Sequence, residues 1–328
     1  MHPTEVFDTY WQFAAKRQAL YLRRLSGASE PWTDDPILRA YRFTNVYRAA
    51  DRVSQYLISE VQYRSDRSQS VDEVVFRTLL FKLFNRIETW ELLERAVGPI
   101  SWRSADREVI SGVLDRAYQR NQRLYSAAYI MPSPGFGEKR KHANHLALLW
   151  RMMSEGLPGK VERAKSLREV YELILKYPGI GPFLAFQFAI DLNYSAALAL
   201  DEADFVVAGP GALDGISKCF EGEYSSDRII HWVTDHQSAE FAKRGLNFPG
   251  LFGRPLQPID CQNLFCEISK YARVAHPAAV GVAGRTRIKQ TFQPRREPLA
   301  PPRFPPRWNL VIPSGVVARG IERQASLF

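Results

Sequence analysis

The chain has 328 residues, 45% of them hydrophobic, and a formal net charge of +9 from 44 lysines and arginines against 35 aspartates and glutamates. This length and composition allow one large domain or two smaller ones to bury a core. The basic, arginine-rich balance fits a polyanionic partner such as nucleic acid, without requiring one.

The first twenty residues carry Glu5 and Asp8 and contain no unbroken apolar core, so we expect no signal peptide. No apolar run approaches the ~20 residues that a membrane-spanning helix needs. The three cysteines, Cys219, Cys261 and Cys266, form no CxxC motif, and the histidines are not spaced as metal ligands. These patterns predict a cytoplasmic protein that needs neither a metal nor another cofactor and has no membrane partner.

Between residues 4 and 275, apolar side chains recur mostly at helical spacing, which predicts a mainly α fold. Residues 71–98 are predicted to be helical, with Gly98 following the helix end. Residues 104–130 are predicted to form another helix, with Ser104 as its N-cap.

Strand signals are sparse, and the best of them covers residues 204–209. From His276 onwards the chain is rich in proline and arginine. The change predicts two parts: a helical domain in residues 1–275 and an extended basic tail in residues 276–328.

The segment Tyr41–Leu57, YRFTNVYRAADRVSQYL, shows an apolar stripe at helical spacing. On the opposite stripe fall Asn45, Arg48, Arg52 and Gln55. An amide beside a guanidinium can read base edges and phosphate together. We therefore predict Arg48 and Arg52 as DNA-binding residues and Asn45 and Arg48 as base-recognition residues; the alternative is an ordinary solvated helix face.

The segment Lys176–Ser195, KYPGIGPFLAFQFAIDLNYS, predicts a tight hairpin between two helices. Gly179 permits backbone angles with positive φ, and Gly181 exposes backbone N–H groups at the start of the next helix. Such a turn can seat a phosphate without reading sequence, so both glycines are predicted to bind DNA. An ordinary helical turn with a glycine cap is the alternative.

Two further segments carry candidate residues. Gly209 and Gly211 flank Pro210 just before a predicted helix, and they form either a second phosphate cradle or a plain helix entrance. In Pro258–Pro277, PIDCQNLFCEISKYARVAHP, Asp260 is predicted to cap a helix. One face of that helix is predicted to carry Asn263, Glu267, Lys270 and Tyr271.

The hairpin YPGIGPFLAFQFAIDL resembles that of the helix–hairpin–helix DNA glycosylase superfamily. The segments Tyr41–Leu57, Asp201–Phe220 and Pro258–Pro277 resemble, more narrowly, the alpha-glutamyl/putrescinyl thymine pyrophosphorylase family, which includes the helical domain of the hydroxymethyl-uracil DNA kinases. The resemblance covers about residues 40–277. It implies a glycosylase-like helical domain that acts on DNA with modified bases.

What the resemblance implies about activity is a base-flipping enzyme for hypermodified pyrimidines in phage DNA. The favoured prediction is a monofunctional DNA glycosylase of antiphage defence. Two alternatives remain: a transferase that joins an amine to an activated hydroxymethyl pyrimidine, and a DNA-binding module without catalysis.

The catalytic carboxylate has two candidates. In the superfamily an essential aspartate lies about 20 residues beyond the second hairpin glycine, which leads to Asp201 and Asp204, although Gly209 stands where a strict match wants the aspartate. Asp260 is favoured because a helix start keeps a carboxylate ionised.

Glu267 and Lys270 are predicted to support acid–base chemistry, or else to form a common surface ion pair. Asn263 and Tyr271 are predicted to recognise the base. Phe183 occupies the position of the superfamily's Schiff-base lysine, so no lyase step is expected.

The chain ends ERQASLF, in which Gln324, Leu327 and Phe328 resemble the peptide that docks bacterial DNA enzymes on the replication sliding clamp. Such a peptide buries its two apolar side chains in pockets while the glutamine bonds backbone. The peptide therefore predicts a bacterial sliding clamp as a second partner beside DNA.

Overall fold

The structure, a computed structural model, describes residues 2–128, 130–293 and 299–313. Within these ranges the regular secondary structure is almost entirely helical, which confirms the predicted mainly α fold. The elements, in chain order, are β1 (His2–Pro3), α1 (Glu5–Leu25), α2 (Pro36–Ala40), α3 (Arg52–Tyr56), α4 (Val71–Phe84), α5 (Ile87–Val97), α6 (Arg107–Gln119), α7 (Lys141–Ser154), α8 (Leu157–Arg163), α9 (Leu167–Leu175), α10 (Pro182–Asn193), α11 (Pro210–Cys219), β2 (Phe220–Glu221), α12 (Ser226–Lys243) and α13 (Pro258–Ala275).

Three shorter helical segments complete the description: a 3₁₀ turn at Arg48–Ala50, a π-helix at Leu57–Gln62 and a 3₁₀ turn at Pro306–Trp308. The chain divides into two compact units. Unit 1 takes the described residues of 1–51, 206–302 and 308–328, and unit 2 takes those of 52–205 and 303–307. The predicted domain boundary at residue 275 stays a prediction.

Helix α13 is the centre of unit 1, and α11 packs closely against it through two glycines. A Cβ at Gly215 would lie 1.8 Å from the carbonyl oxygen of Phe265, and one at Gly211 would lie 2.4 Å from Sγ of Cys266. Real Cβ atoms do not approach other atoms so closely, so the close helix contact requires glycine at both positions. Around this pair lie the buried aromatic side chains of α1, including Tyr10, which packs on Phe265.

Unit 2 is built on α4, whose side chains are almost all buried. The predicted helix over residues 71–98 is in fact two helices, because Asn85 adopts a left-handed conformation (φ 49°) and ends α4. Gly98 follows α5 as predicted. A second correction concerns α6, whose N-cap is Asp106 and not Ser104, since the Asp106 carboxylate accepts from the first backbone N–H groups of the helix.

Two other predictions of local structure are wrong. Residues 204–209 form no strand; they are an irregular entrance to α11. The segment Tyr41–Leu57 is not one helix, because residues 42–47 are irregular and precede the 3₁₀ turn and α3. Arg48 is consequently buried, and the four polar residues of the predicted stripe do not share a helix face.

The predicted helical hairpin is present in unit 2, where α9 ends at Leu175 and α10 begins at Pro182. Gly179 in the turn has a φ of 78°, a left-handed conformation that favours glycine. Gly181 is the N-cap of α10. Membership of the helix–hairpin–helix superfamily stays a prediction.

Side-chain hydrogen bonds and one backbone bridge hold the described part of the predicted tail. In unit 1, the backbone N–H of Ala283 donates to Asp214 Oδ1 (2.7 Å), and Tyr41 pairs with Thr291 in an isolated β-bridge. In unit 2, the Gln55 amide exchanges two hydrogen bonds with the backbone of Arg303 (2.8 and 3.0 Å). These contacts give the proline-rich segments fixed positions without regular secondary structure.

Candidate functional site

In unit 1, the irregular segment 42–51 lies along one face of α13, and polar side chains meet between them. We call this set the polar cluster; its members are Arg17, Thr44, Asn45, Asp51, Asn263, Glu267 and Lys270. The cluster joins two of the segments that carry the family resemblance. It is the candidate functional site because it combines two carboxylates, two cations and two amides.

Helix α13 provides one side of the cluster. Asn263 Nδ2 donates to the Thr44 hydroxyl (3.1 Å) and to the Asn45 carbonyl (3.0 Å). Glu267 Oε2 accepts from the Thr44 N–H (3.1 Å) and lies 2.6 Å from Lys270 Nζ. The side chains of α13 thus hold an irregular backbone segment, whose N–H and C=O groups have no helical partners.

Helix α1 and the segment itself provide the other side. Arg17 donates from Nε to the Thr44 carbonyl (2.9 Å) and from Nη2 to Asn45 Oδ1 (2.6 Å). The Asn45 backbone N–H donates to Asp51 Oδ1 (2.7 Å), and its Nδ2 donates to the Ala50 carbonyl (2.7 Å). Both ends of the Asn45 amide therefore fix the loop, and its N–H positions Asp51.

Burial and charge set the protonation of this site. The pKa of the Asp51 carboxyl is raised to about 6, chiefly by burial and also by the nearby charge of Glu267, against the Asn45 hydrogen bond and the positive charges of Arg17 and Arg48. Burial also lowers the pKa of the Arg17 guanidinium to about 10. A carboxyl that titrates near neutrality can accept and return a proton during a reaction.

Asp260 is buried and does not cap α13. The N-cap is Gln257, whose backbone N–H donates to Asp260 Oδ2 (3.1 Å). Asp260 Oδ1 accepts from the backbone N–H of Arg48 (3.0 Å), so this carboxylate ties the start of α13 to the 3₁₀ turn. Its predicted catalytic role is untested and stays a prediction.

Tyr271 lies deeper on α13, and its hydroxyl donates to Asp35 Oδ2 (2.8 Å). Both side chains are buried, and Lys16 completes the group at 3.0 Å from the same oxygen. Burial opposes ionisation of Asp35, but the hydrogen bonds from Leu38 N–H, Lys16 and Tyr271 outweigh it and lower its pKa. In unit 1, then, Tyr271 holds an ionised aspartate.

The glycines predicted to bind DNA fall in different surroundings. In unit 2, Gly179 and Gly181 are exposed in the hairpin turn. In unit 1, Gly209 caps α11, whereas Gly211 faces Cys266 and is explained by helix packing. Phosphate binding by any of them stays a prediction.

The remaining predicted residues lie in unit 2 or outside the described ranges. Arg52 is half-exposed and lies 3.9 Å from Glu88, and Asp204 is exposed. Gln324, Leu327 and Phe328 lie outside the described residues. In the part of the chain that the structure describes, no group of three or more His, Cys, Asp or Glu could hold a metal ion. No helix among those described is long and apolar enough to cross a membrane.

Arg17, Thr44 and Asp51 are the members of the cluster that the sequence analysis did not predict. Asp51 lies inside the quoted segment, next to Arg52, but it is not on the polar stripe that the predicted helix would carry. Arg17 gives no signal, because it lies in an amphipathic helix far from any motif and reaches the site through the fold.

Comparison with known proteins assigns this architecture to a class. A family model described as "5-hmdU DNA kinase, helical domain" matches residues 4–281, and the chain belongs to that family. The narrower family resemblance seen in the sequence is thereby confirmed, while the wider superfamily placement stays a prediction.

One curated relative is the "5-hmdU DNA kinase" of Bacillus phage SP10, which is 27% identical over 286 residues. The match covers 81% of this chain and 45% of the relative, so the chain spans less than half of that protein's length. No solved structure matches the chain. The prediction of a DNA glycosylase, a hydrolase, is wrong: the relative and the family are named for a kinase, which transfers a phosphoryl group.

Proposed function

We propose that the chain is the base-handling part of a transferase that modifies 5-hydroxymethyl-2′-deoxyuridine in DNA, with the polar cluster as its reaction site. The observation that carries the proposal is the closeness of Asp51 to Glu267, which itself pairs with Lys270, in a family named for a hydroxymethyl-deoxyuridine DNA kinase. The proposal keeps both the DNA partner and the cytoplasmic location that were predicted from the sequence.

The chemistry required is deprotonation of a primary alcohol. In phosphoryl transfer the 5-hydroxymethyl oxygen attacks phosphorus, the donor's bridging P–O bond breaks, and the alcohol proton must leave. Asp51 is the proposed base that takes this proton, because it is half-buried and titrates near neutrality. Asn45 is a positioning residue. Its backbone N–H bonds one carboxylate oxygen of Asp51, and this bond fixes the direction of the other oxygen.

The phosphate donor is not held by a recognisable loop of this chain. The 328-residue sequence contains no Gly-x₄-Gly-Lys-Ser/Thr motif, the common cradle for nucleotide phosphates. The relative is more than twice as long as the matched region. We therefore place recognition of the base and acceptance of its proton in this chain, and binding of the donor in a separate domain or protein.

A second candidate is the amine transferase. There an amine displaces pyrophosphate from an already activated hydroxymethyl group, and the same carboxyl takes the proton of the amine. The absence of a nucleotide-phosphate motif from the sequence favours this candidate. A binder without catalysis is the remaining alternative, if the polar cluster serves only to hold segment 42–51.

Clamp binding by Gln324, Leu327 and Phe328 is a separate proposal that rests on the sequence alone. It requires pull-down of the full chain by a bacterial sliding clamp, with Leu327→Ala and Phe328→Ala together as the disabled control. Retention of the double variant at the level of the unchanged chain argues against it.

The main proposal is tested with duplexes that differ in one base: 5-hydroxymethyl-deoxyuridine, thymidine or 5-hydroxymethyl-deoxycytidine. We expect at least about tenfold tighter binding of the first, which corresponds to about 1.4 kcal/mol. Mass spectrometry of digested DNA then identifies the product after incubation of the chain with ATP and the separate donor-binding domain or protein, or with pyrophosphorylated base and an amine. Equal affinity for all three duplexes and no new nucleoside in either reaction would overturn the proposal.

Asp51→Asn is the informative variant for the reaction itself. It should keep the preference for the modified base and lose turnover by about 10²–10⁴-fold, the usual effect of removing a general base. Asp34→Asn, an exposed position in the same unit, is the matched control and should retain activity. Full turnover in Asp51→Asn would remove that residue from the mechanism.

A further inference from the structure

The region of unit 2 between α6 and α7 is strongly basic. Residues 116–141 contain Arg116, Arg120, Arg123, Lys139, Arg140 and Lys141 against a single acidic residue, Glu138. All six basic residues are exposed. Tyr118, which lies between Arg116 and Arg120 in the chain, is 49% exposed. Nothing in the reaction site of unit 1 uses this surface.

Two of these cations are held over aromatic rings. The Arg140 guanidinium lies 4.6 Å from the Tyr118 ring centre, and the Lys141 ammonium lies 4.3 Å from that of Tyr125. Partial burial lowers the pKa of Lys141. Stacking fixes the direction of a long side chain, so less rotamer freedom is lost when an anion binds.

The backbone that carries these cations is also fixed. Asn144, which is buried, accepts at Oδ1 from the N–H groups of Phe136 and Glu138 (3.0 and 3.2 Å). Its Nδ2 donates to the carbonyls of Glu138 and Arg140 (2.9 and 3.1 Å). The loop before α7 therefore presents Lys139 and Arg140 in one arrangement.

The same loop lies against the helical hairpin. A Cβ built at Gly179 would lie 3.1 Å from Cβ of Pro134, so the turn and the loop are in contact. The turn that carries the exposed Gly179 and Gly181 therefore contacts, at Pro134, the loop that leads to Lys139 and Arg140. The nearby acids are occupied, because Asp115 lies 2.8 Å from His142 and Glu138 lies 3.5 Å from Arg107.

We propose that Lys139, Arg140 and Lys141 bind the phosphate backbone of duplex DNA and extend the phosphate seat that the sequence predicts at the turn Gly179–Gly181. Fixed cations beside exposed backbone of a glycine turn suit sequence-independent contacts with phosphates. The identity of the polyanion rests on the proposed function. This surface supplies affinity, and discrimination of the base remains with the polar cluster.

The test measures the affinity of the full chain for a fluorescent duplex between 50 and 200 mM salt. The triple variant Lys139→Ala, Arg140→Ala, Lys141→Ala should reduce the slope of log K against log salt by about 2 to 3, since each phosphate contact contributes about 0.9. Affinity at about 0.1 M salt should fall about 100-fold. Lys139→Ala alone should reduce the slope by about 1.

The matched control removes three exposed cations from unit 1: Arg39→Ala, Arg228→Ala and Lys243→Ala. It should leave the slope within about 1 of that of the unchanged chain. An unchanged slope in the first triple variant, or an equal loss in both, would overturn the proposed surface. Equal binding of modified and unmodified duplex by the unchanged chain would instead refute the proposed function, and the comparison of slopes would still decide the surface.

Discussion

The protonation of Asp51 makes a prediction about stability as well as activity. A rise of its pKa from the ordinary 3.8 to about 6 corresponds to about 3 kcal/mol between the two protonation states. The folded protein binds this proton more tightly than the unfolded chain does. The contribution of Asp51 to stability is therefore fully present below about pH 4, is lost as the pH rises to about 6, and stays lost above.

Asp51→Asn removes the charge and keeps an acceptor for the Asn45 N–H. Relative to the unchanged chain, the variant should become more stable by up to about 3 kcal/mol as the pH rises from 4 to 7.5. The groups that surround the carboxyl are Arg17 from α1, Glu267 from α13 and Arg48 from the 3₁₀ turn. The substitution leaves their charges unchanged. They therefore affect the difference in unfolding free energy between the two proteins only through their interaction with Asp51.

The assay is urea unfolding of both proteins at several pH values, followed by tryptophan fluorescence, to which Trp11 in unit 1 contributes. Only the pH dependence of the difference matters, because other groups titrate in both proteins. Asp34→Asn should change stability by less than about 0.5 kcal/mol. A difference between Asp51→Asn and the unchanged chain that is constant from pH 4 to 7.5 would refute the raised pKa and, with it, the proposed base.

Three other outcomes are expected. Gly215→Ala should destabilise unit 1 by about 3 kcal/mol or more, because its Cβ would lie 1.8 Å from the Phe265 carbonyl, whereas Gly181→Ala meets no atom within 4 Å and should cost less than about 1 kcal/mol; thermal unfolding compares them. Gly181→Asp should weaken duplex binding without loss of stability, and unchanged affinity would exclude the turn from the interface. Glu267→Gln should lower the pKa of Asp51, since the charge of Glu267 raises it, and a pH–rate profile whose acidic limb does not move would contradict their coupling.

Local patterns in the sequence predicted the helical class and several helix ends. The glycine and proline signals around α10 and α11 located both helix starts, because φ restrictions and capping act over a few residues. They failed where a tertiary contact overrides local preference. Asn85 breaks an apparently continuous helix and bonds Lys82 through Oδ1 (2.7 Å), a buried contact that no local spacing reveals.

The candidate site was predicted in part for the same reason. Asn263, Glu267 and Lys270 lie on one face of α13 as helical spacing indicates, because a long helix preserves its period. What that face binds could not be predicted, since segment 42–51 has helical spacing and yet is irregular. The irregular path of this segment places Asp51 in the site and brings Thr44 and Asn45 to Arg17 of α1. Helical periodicity therefore does not predict either Asp51 or Arg17.

The three segments that resemble the family have a common physical role around α13. Its one face holds segment 42–51 through Asn263 and Glu267. Another face accepts α11, where Gly215 allows backbone contact with Phe265. Because both partners depend on the position of a single helix, a displacement of α13 at the glycine contact also moves Glu267 relative to Asp51. Substitutions at Gly215 should therefore impair the proposed reaction site as well as stability, although no atom of that glycine reaches the polar cluster.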